Sequence, residues 1–146
     1  MTDKKEKILA AALELFANQG YNATSTSKIA KRAGVSEGLI FRHFENKKGL
    51  LDAIYTQLEQ RLQAVMAGVL FETDAKAVIK RFIWSVAEVQ PEDYNFWRLQ
   101  YILKWQPEYH KPDKRKPIVE QLTRAGDELG YQQPEMEATR LMMVID

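Results

Sequence analysis

Residues 24–48 read TSTSKIAKRAGVSEGLIFRHFENKK, and their punctuation is that of two short helices joined by a tight turn. Thr24, Ser25 or Thr26 can cap the first, because a hydroxyl there accepts an otherwise unsatisfied backbone N–H. Ile29 and Ala30 face inward from it, and the helix is expected to end near Ala33, where Gly34 breaks it. Val35 plugs the turn. Ser36 can cap a second helix running from Glu37 to Phe44, with Leu39 or Ile40, and Phe44, on its inner side. Small residues at Ala30, Ala33 and Gly34 let the two helices cross closely at a steep angle. That is the helix-turn-helix shape, whose second helix is held out for a DNA major groove.

The outward groups suit such a role. Hydroxyls and free N–H groups at a helix N-terminus make a seat for phosphate. Arg42, His43 and Lys47 are placed to neutralise flanking phosphates, and Gly38 lets backbone approach the groove with no side chain in the way. On either side the chain reads as helix throughout, with Gly and Pro between segments of 3.6-residue period. A first helix over residues 3–19 carries Ile8, Ala12, Leu15 and Phe16 on one stripe, widened by Leu9 and Leu13, and Gly20 terminates it. A fourth helix over residues 47–70, about 35 Å long, places Leu51, Ile54, Tyr55, Leu58, Leu62, Val65, Met66 and Val69 on one face. Thr73 or Asp74 caps a fifth, and Pro91 starts a sixth that ends before Pro107. A charged loop, exposed over residues 110–116, leads to a seventh helix stopped by Gly130, and Pro134 opens an eighth. The sequence stops at Asp146 inside an apolar run, residues 141–145, which reads as a chain truncated before a last helix.

Composition narrows the classes. With no cysteine there is no disulfide, thiolate metal site or cysteine nucleophile; this suits a reducing, cytoplasmic setting. No apolar run is long enough to span a membrane. The net charge of +1 conceals an asymmetry: residues 1–52 hold nine Lys/Arg against six acids, and the rest hold twelve against fourteen. A mildly basic head on a slightly acidic body permits a polyanionic partner. No nucleophile–base pairing, phosphate-cradling glycine loop or metal-spaced cluster is present, so an enzyme is not expected, nor a metal or cofactor.

The N-terminal third resembles the DNA-binding head of the TetR family of transcription regulators. The matching pieces are residues 15–21 (LFANQGY), 23–26 (ATST), Ile29-Ala30, residues 33–36 (AGVS), Gly38, residues 41–44 (FRHF), and Lys47 with Leu50-Leu51. The resemblance implies that Thr24, Ser25 and Thr26 seat or cap against phosphate. It implies that Ser36, Glu37, Gly38 and Leu39 open the recognition helix, and that His43 and Lys47 contact phosphate. Phe41 stands where Tyr is usual and is left with apolar contact alone. Glu37 stands where Lys, Pro or Arg is frequent; it repels phosphate unless it accepts from a cytosine amino group or points to solvent.

The expected architecture is therefore all-α: a helix-turn-helix DNA-binding domain over residues 1–46 and a helical ligand-binding and dimerisation bundle over residues 47–146, incomplete at its C-terminus. The expected function is a bacterial, ligand-responsive repressor reading a palindromic operator in double-stranded DNA. In the family the dimer forms through the last two helices, so the intact protein is expected to be a homodimer. The body is rich in aromatics, and Phe96, Trp97, Tyr101 and Trp105 are spaced as one broad stripe. With Leu62, Met66, Phe82 and Trp84 they are the candidates for lining a pocket for a small apolar or aromatic effector, core packing being the plainer role of each. The competing function is a helical protein-interaction module that does not bind DNA.

Overall fold

The computed structural model describes residues 3–144, and these form eight α-helices with no strand among the described residues. They are α1 (Asp3–Gln19), α2 (Thr26–Ala33), α3 (Glu37–Phe44), α4 (Lys47–Leu70), α5 (Ala75–Ala87), α6 (Tyr94–Leu103), α7 (Lys116–Glu128) and α8 (Pro134–Met143). One 3-10 turn, Pro91–Asp93, precedes α6 and another, Pro112–Arg115, precedes α7. The all-helical architecture with an N-terminal helix-turn-helix is as expected, and Asp74 caps α5 by accepting the Ala77 N–H at 2.9 Å.

The chain divides into two compact units. The first holds the residues up to Gln60 together with Glu92–Leu103; it therefore reaches beyond the expected boundary at residue 46 and takes in α6. Its core is built from one face of each helix: Ile8, Ala12, Leu15 and Phe16 of α1, Ile29 of α2, Ile40 and Phe44 of α3, Leu50, Leu51, Ile54 and Leu58 of α4, and Phe96, Leu99 and Leu103 of α6. α1 packs against both α2 and α6. A polar clamp supports the α1–α6 pair: Asn18 donates to the Asn95 side chain at 2.9 Å and accepts from Arg98.

The second unit holds Arg61–Pro91 and the residues from Lys104 onward. Its core gathers Met66 and Val69 of α4, Val78 and Phe82 of α5, Ile118, Leu122 and Ala125 of α7, and Ala138 and Met142 of α8. Burying one such large side chain contributes about 1.5–3 kcal/mol. One polar staple crosses it. The Gln121 amide donates to the carbonyls of Val69 (3.0 Å) and Glu72 (2.7 Å), so α7 satisfies the otherwise open backbone where α4 ends.

Candidate nucleic-acid interface

α2 starts where it does because Ser25, in extended backbone (φ −91°, ψ 156°), accepts the Lys28 N–H on its Oγ at 3.1 Å. Ser36 repeats the device for α3, accepting the Leu39 N–H at 3.3 Å. Each cap is worth about 1 kcal/mol. In both, the oxygen accepts while the hydroxyl proton stays free to be donated outward, and both serines are exposed. Two exposed donors, each at a helix N-terminus, are what a phosphate oxygen requires.

The turn between the helices depends on Gly34, which lies in the left-handed region (φ 69°, ψ 36°). Its N–H donates to the Lys31 carbonyl at 3.3 Å and the Val35 N–H to the Ala30 carbonyl at 3.0 Å, which closes α2 and aims the chain into α3. α3 then has two distinct sides. Ile40 and Phe44 are buried; Glu37, Gly38, Phe41 (44% exposed), Arg42 and His43 are on the surface. At the far end Glu45 (φ 69°, ψ −51°) makes a three-residue turn closed by Asn46 N–H to the Phe44 carbonyl at 2.8 Å. The Asn46 side chain accepts the Gly49 N–H at 2.8 Å and starts α4. A Cβ at Gly49 would run into the Phe44 carbonyl, so α3 and α4 are coupled through the shortest link in the head.

The eleven expected DNA-binding residues do not all reach this surface. Ser25, Ser36, Glu37, Gly38, Phe41, Arg42 and His43 do, with Leu39 half-buried beside them. Thr24 is a correction: it is 1% exposed, and its hydroxyl donates inward to the Gly20 carbonyl at 2.8 Å, holding the α1–α2 loop. Thr26 is half-buried and donates to the Glu37 carboxylate at 2.8 Å, so its proton is already spent on α3. Lys47 is half-buried as well. Its Nζ donates to the Tyr21 carbonyl at 2.9 Å and lies 4.1 Å from the centre of the Tyr21 ring, which makes it a brace between α4 and the α1–α2 loop. Tyr21 packs in turn on Phe16, ring centres 5.2 Å apart. Tyr21 and Asn46 were missed as supporting residues; the aromatic directly after the terminating Gly20 was the available signal for the first. Glu14 and Arg32 were missed too, and pair in a two-pronged contact at 2.9 and 3.1 Å that ties α1 to α2.

The expected effector residues separate. Phe96, Trp97 and Tyr101 belong to the first unit, whereas Leu62, Met66, Phe82, Trp84 and Trp105 belong to the second. The aromatic stripe expected on α6 is corrected. The buried side of α6 is Phe96, Leu99 and Leu103, with Tyr101 exposed, Trp97 edge-on to Phe96 at 5.3 Å, and Trp105 beyond the helix end and 69% exposed. Phe82 and Met66 are buried in the second core, Leu62 packs against it, and Trp84 lies on the surface. The second unit does hold an open cavity of 990 Å³ between α7 and α8, bounded by Val119, Thr123, Arg124, Asp127, Pro134 and Met136 among others. None of the eight expected residues lines it. Among the described residues no cluster of His, Asp or Glu is arranged to hold a metal, and no helix is long and apolar enough to cross a membrane.

Comparison with known proteins places this geometry. The family pattern "Bacterial regulatory proteins, tetR family" matches residues 8–54, the stretch from α1 into α4. The HTH-type transcriptional regulator YvkB of Bacillus subtilis is 47% identical over 57 residues, covering 39% of this chain and 30% of its own. The HTH-type transcriptional regulator BetI of Escherichia coli is 33% identical over 122 residues, covering 68% of this chain and 61% of its own. This chain thus spans less than two thirds of the length of these curated relatives. Among solved structures, the TetR family regulator PfmR from Thermus thermophilus superposes with a TM-score of 0.77 at 26% identity, covering 99% of this chain and 84% of the other.

Proposed function

The chain belongs to the TetR family of bacterial regulatory proteins, and from that premise we propose that it is a DNA-binding transcription regulator rather than an enzyme, with α3 as its reading helix. The observation that carries this reading is the two-sidedness of α3. Ile40 and Phe44 anchor it, while Gly38, Phe41, Arg42 and His43 stand outside, and the serine caps that start α2 and α3 are exposed with their hydroxyl protons free.

In the fuller reading the protein is a dimeric repressor. Two copies of α3 meet successive major grooves about 34–36 Å apart on a palindromic site. A small apolar or aromatic effector held by the second unit favours a conformer whose heads no longer fit, which requires unequal affinity for the two conformers. The α7–α8 cavity is a place in that unit with room for such an effector, and Val119, Pro134 and Met136 give it an apolar part.

The test is titration of duplex DNA over a range of salt. The expected result is a logarithmic fall of affinity with salt concentration. Arg42→Ala weakens every duplex alike and lowers the salt slope by about 1, whereas Leu39→Ala changes which duplexes are preferred. Absence of duplex binding at low salt overturns the reading and leaves a helical protein-docking module in its place.

A further inference from the structure

Resting on the DNA-reading role of α3, we propose that Glu37 reads a cytosine in the major groove and that Thr26 sets its aim. Glu37 is the first residue of α3 and lies on the exposed side. It is the one acid in the stretch from Ser36 to His43. A surface made only to hold phosphate is better without it, because a carboxylate opposes approach to every duplex through the same long-range field that lysines and arginines exploit. Its presence lowers affinity for DNA in general, so its contribution is discrimination.

The geometry says how. The Thr26 hydroxyl, at the start of α2, donates to Glu37 Oε1 at 2.8 Å. That bond restricts a long side chain and joins the N-terminal ends of the two helices. It occupies one oxygen and leaves Oε2 to meet a donor from outside. An ionised carboxylate only accepts hydrogen bonds. In the major groove the base donors are the N4 amino group of cytosine and the N6 amino group of adenine. Adenine presents N6 beside N7, an acceptor that repels a carboxylate. Cytosine presents N4 with no acceptor on its own groove edge. A restrained carboxylate at this end of α3 therefore selects C·G over the other three pairs. Thr26 becomes a positioning residue for that contact, in place of the phosphate seat that the sequence suggested.

The experiment is selection from a randomised duplex library by the full chain and by Glu37→Gln, Thr26→Val and Thr26→Ser, with the affinity of each for a random duplex measured alongside. Glu37→Gln is isosteric, keeps an oxygen for Thr26, loses the charge and gains a donor. The expected result is one cytosine position in the wild-type site, with roughly tenfold or greater discrimination, that Glu37→Gln relaxes while the neighbouring positions persist. The same variant binds random duplex several-fold more tightly. Thr26→Val relaxes the same position in part and Thr26→Ser restores it. A selected site that lacks such a cytosine, or that Glu37→Gln leaves unchanged, overturns the proposal, as does Thr26→Val weakening all sequences uniformly. Failure of the wild type to enrich any duplex instead overturns the DNA-reading role itself.

Discussion

The two compact units are held together differently. In the first, the surface is organised. Helix starts are closed by Ser25 and Ser36, and polar contacts cross between helices at Glu14–Arg32, Asn18–Arg98 and Tyr21–Lys47. In the second, Asp74 caps α5 but α7 and α8 carry proline in the first turn with no side-chain cap, and the apolar core is supplemented by the Gln121 staple and the Glu72–Arg81 pair. Proline at the first helical turn suffices because the N–H it lacks has no helical partner there. The difference reflects what each unit must present. A surface that is to meet a regular polyanion, as proposed for the first unit, is constrained residue by residue. A surface under no such demand is constrained chiefly by what lies beneath it.

The largest effect that tests this contrast lies in the second core. Phe82 is 1% exposed among Val78, Leu122 and Met142, so Phe82→Ala is expected to cost about 3–5 kcal/mol, read from urea denaturation. Trp84→Ala and Trp105→Ala, at 58% and 69% exposure, are expected to stay within about 0.5 kcal/mol. The reverse order, with Trp105→Ala the more damaging, means that the surface of the second unit is organised after all and that the contrast between the units fails.

The same contrast explains what could be read from the sequence. Residues 24–48 announced α2, the turn and α3 because each signal was local: a hydroxyl before a helix, a glycine after it, apolar residues at helical spacing. Ser25, Ser36 and Gly34 needed no knowledge of the rest of the chain. Thr24 is turned inward, and Thr26 and Lys47 carry intramolecular bonds as well; the sequence shows which groups can meet phosphate but not which are already engaged. Each of the three is occupied by a residue brought close by folding: Gly20, Glu37 and Tyr21. Three adjacent hydroxyls in a row look alike as letters, yet one caps, one is buried and one braces. In α6 the misreading had another cause. Helical periodicity allowed either an aromatic face or the Phe96–Leu99–Leu103 face to be the inner one, and packing against α1 selected the second.

Two glycines sharpen the comparison within the head at intermediate size. Gly34 is demanded by backbone: a Cβ there has open space around it but φ is 69°, so Gly34→Ala is expected to cost about 1–2 kcal/mol. Gly38 has equally open space but sits in ordinary helix, and Gly38→Ala is expected to raise stability by about 0.5–1 kcal/mol. On the proposed reading helix the added methyl also blunts duplex affinity. Thermal denaturation and duplex titration of the pair separate a glycine kept for the fold from one kept for a partner. If Gly38→Ala leaves duplex affinity intact, that stretch of α3 does not approach the groove.

The smallest effect compares two acids at helix starts, one in each unit. Glu72, before α5, is satisfied by its own chain: Oε1 accepts the N–H groups of Thr73 (3.0 Å) and Asp74 (3.2 Å), and Oε2 accepts from Arg81 at 2.8 Å. The Asp74 amide first, and the Arg81 guanidinium next, hold its carboxyl below the usual glutamate value. A group held low when folded contributes stability above its unfolded pKa and loses it as pH falls through the folded one. The wild type is therefore expected to melt slightly above Glu72→Gln at neutral pH, with the gap closing as pH drops below the ordinary glutamate range. A gap independent of pH would mean the carboxylate is not held. Glu37 provides the counterpart. With one intramolecular donor from Thr26 against three for Glu72, it keeps accepting capacity that its own unit does not use, and Glu37→Gln is expected to change melting less than it changes sequence preference. An acid whose replacement moves stability alone serves the fold, and one whose replacement moves base preference serves what the fold reads.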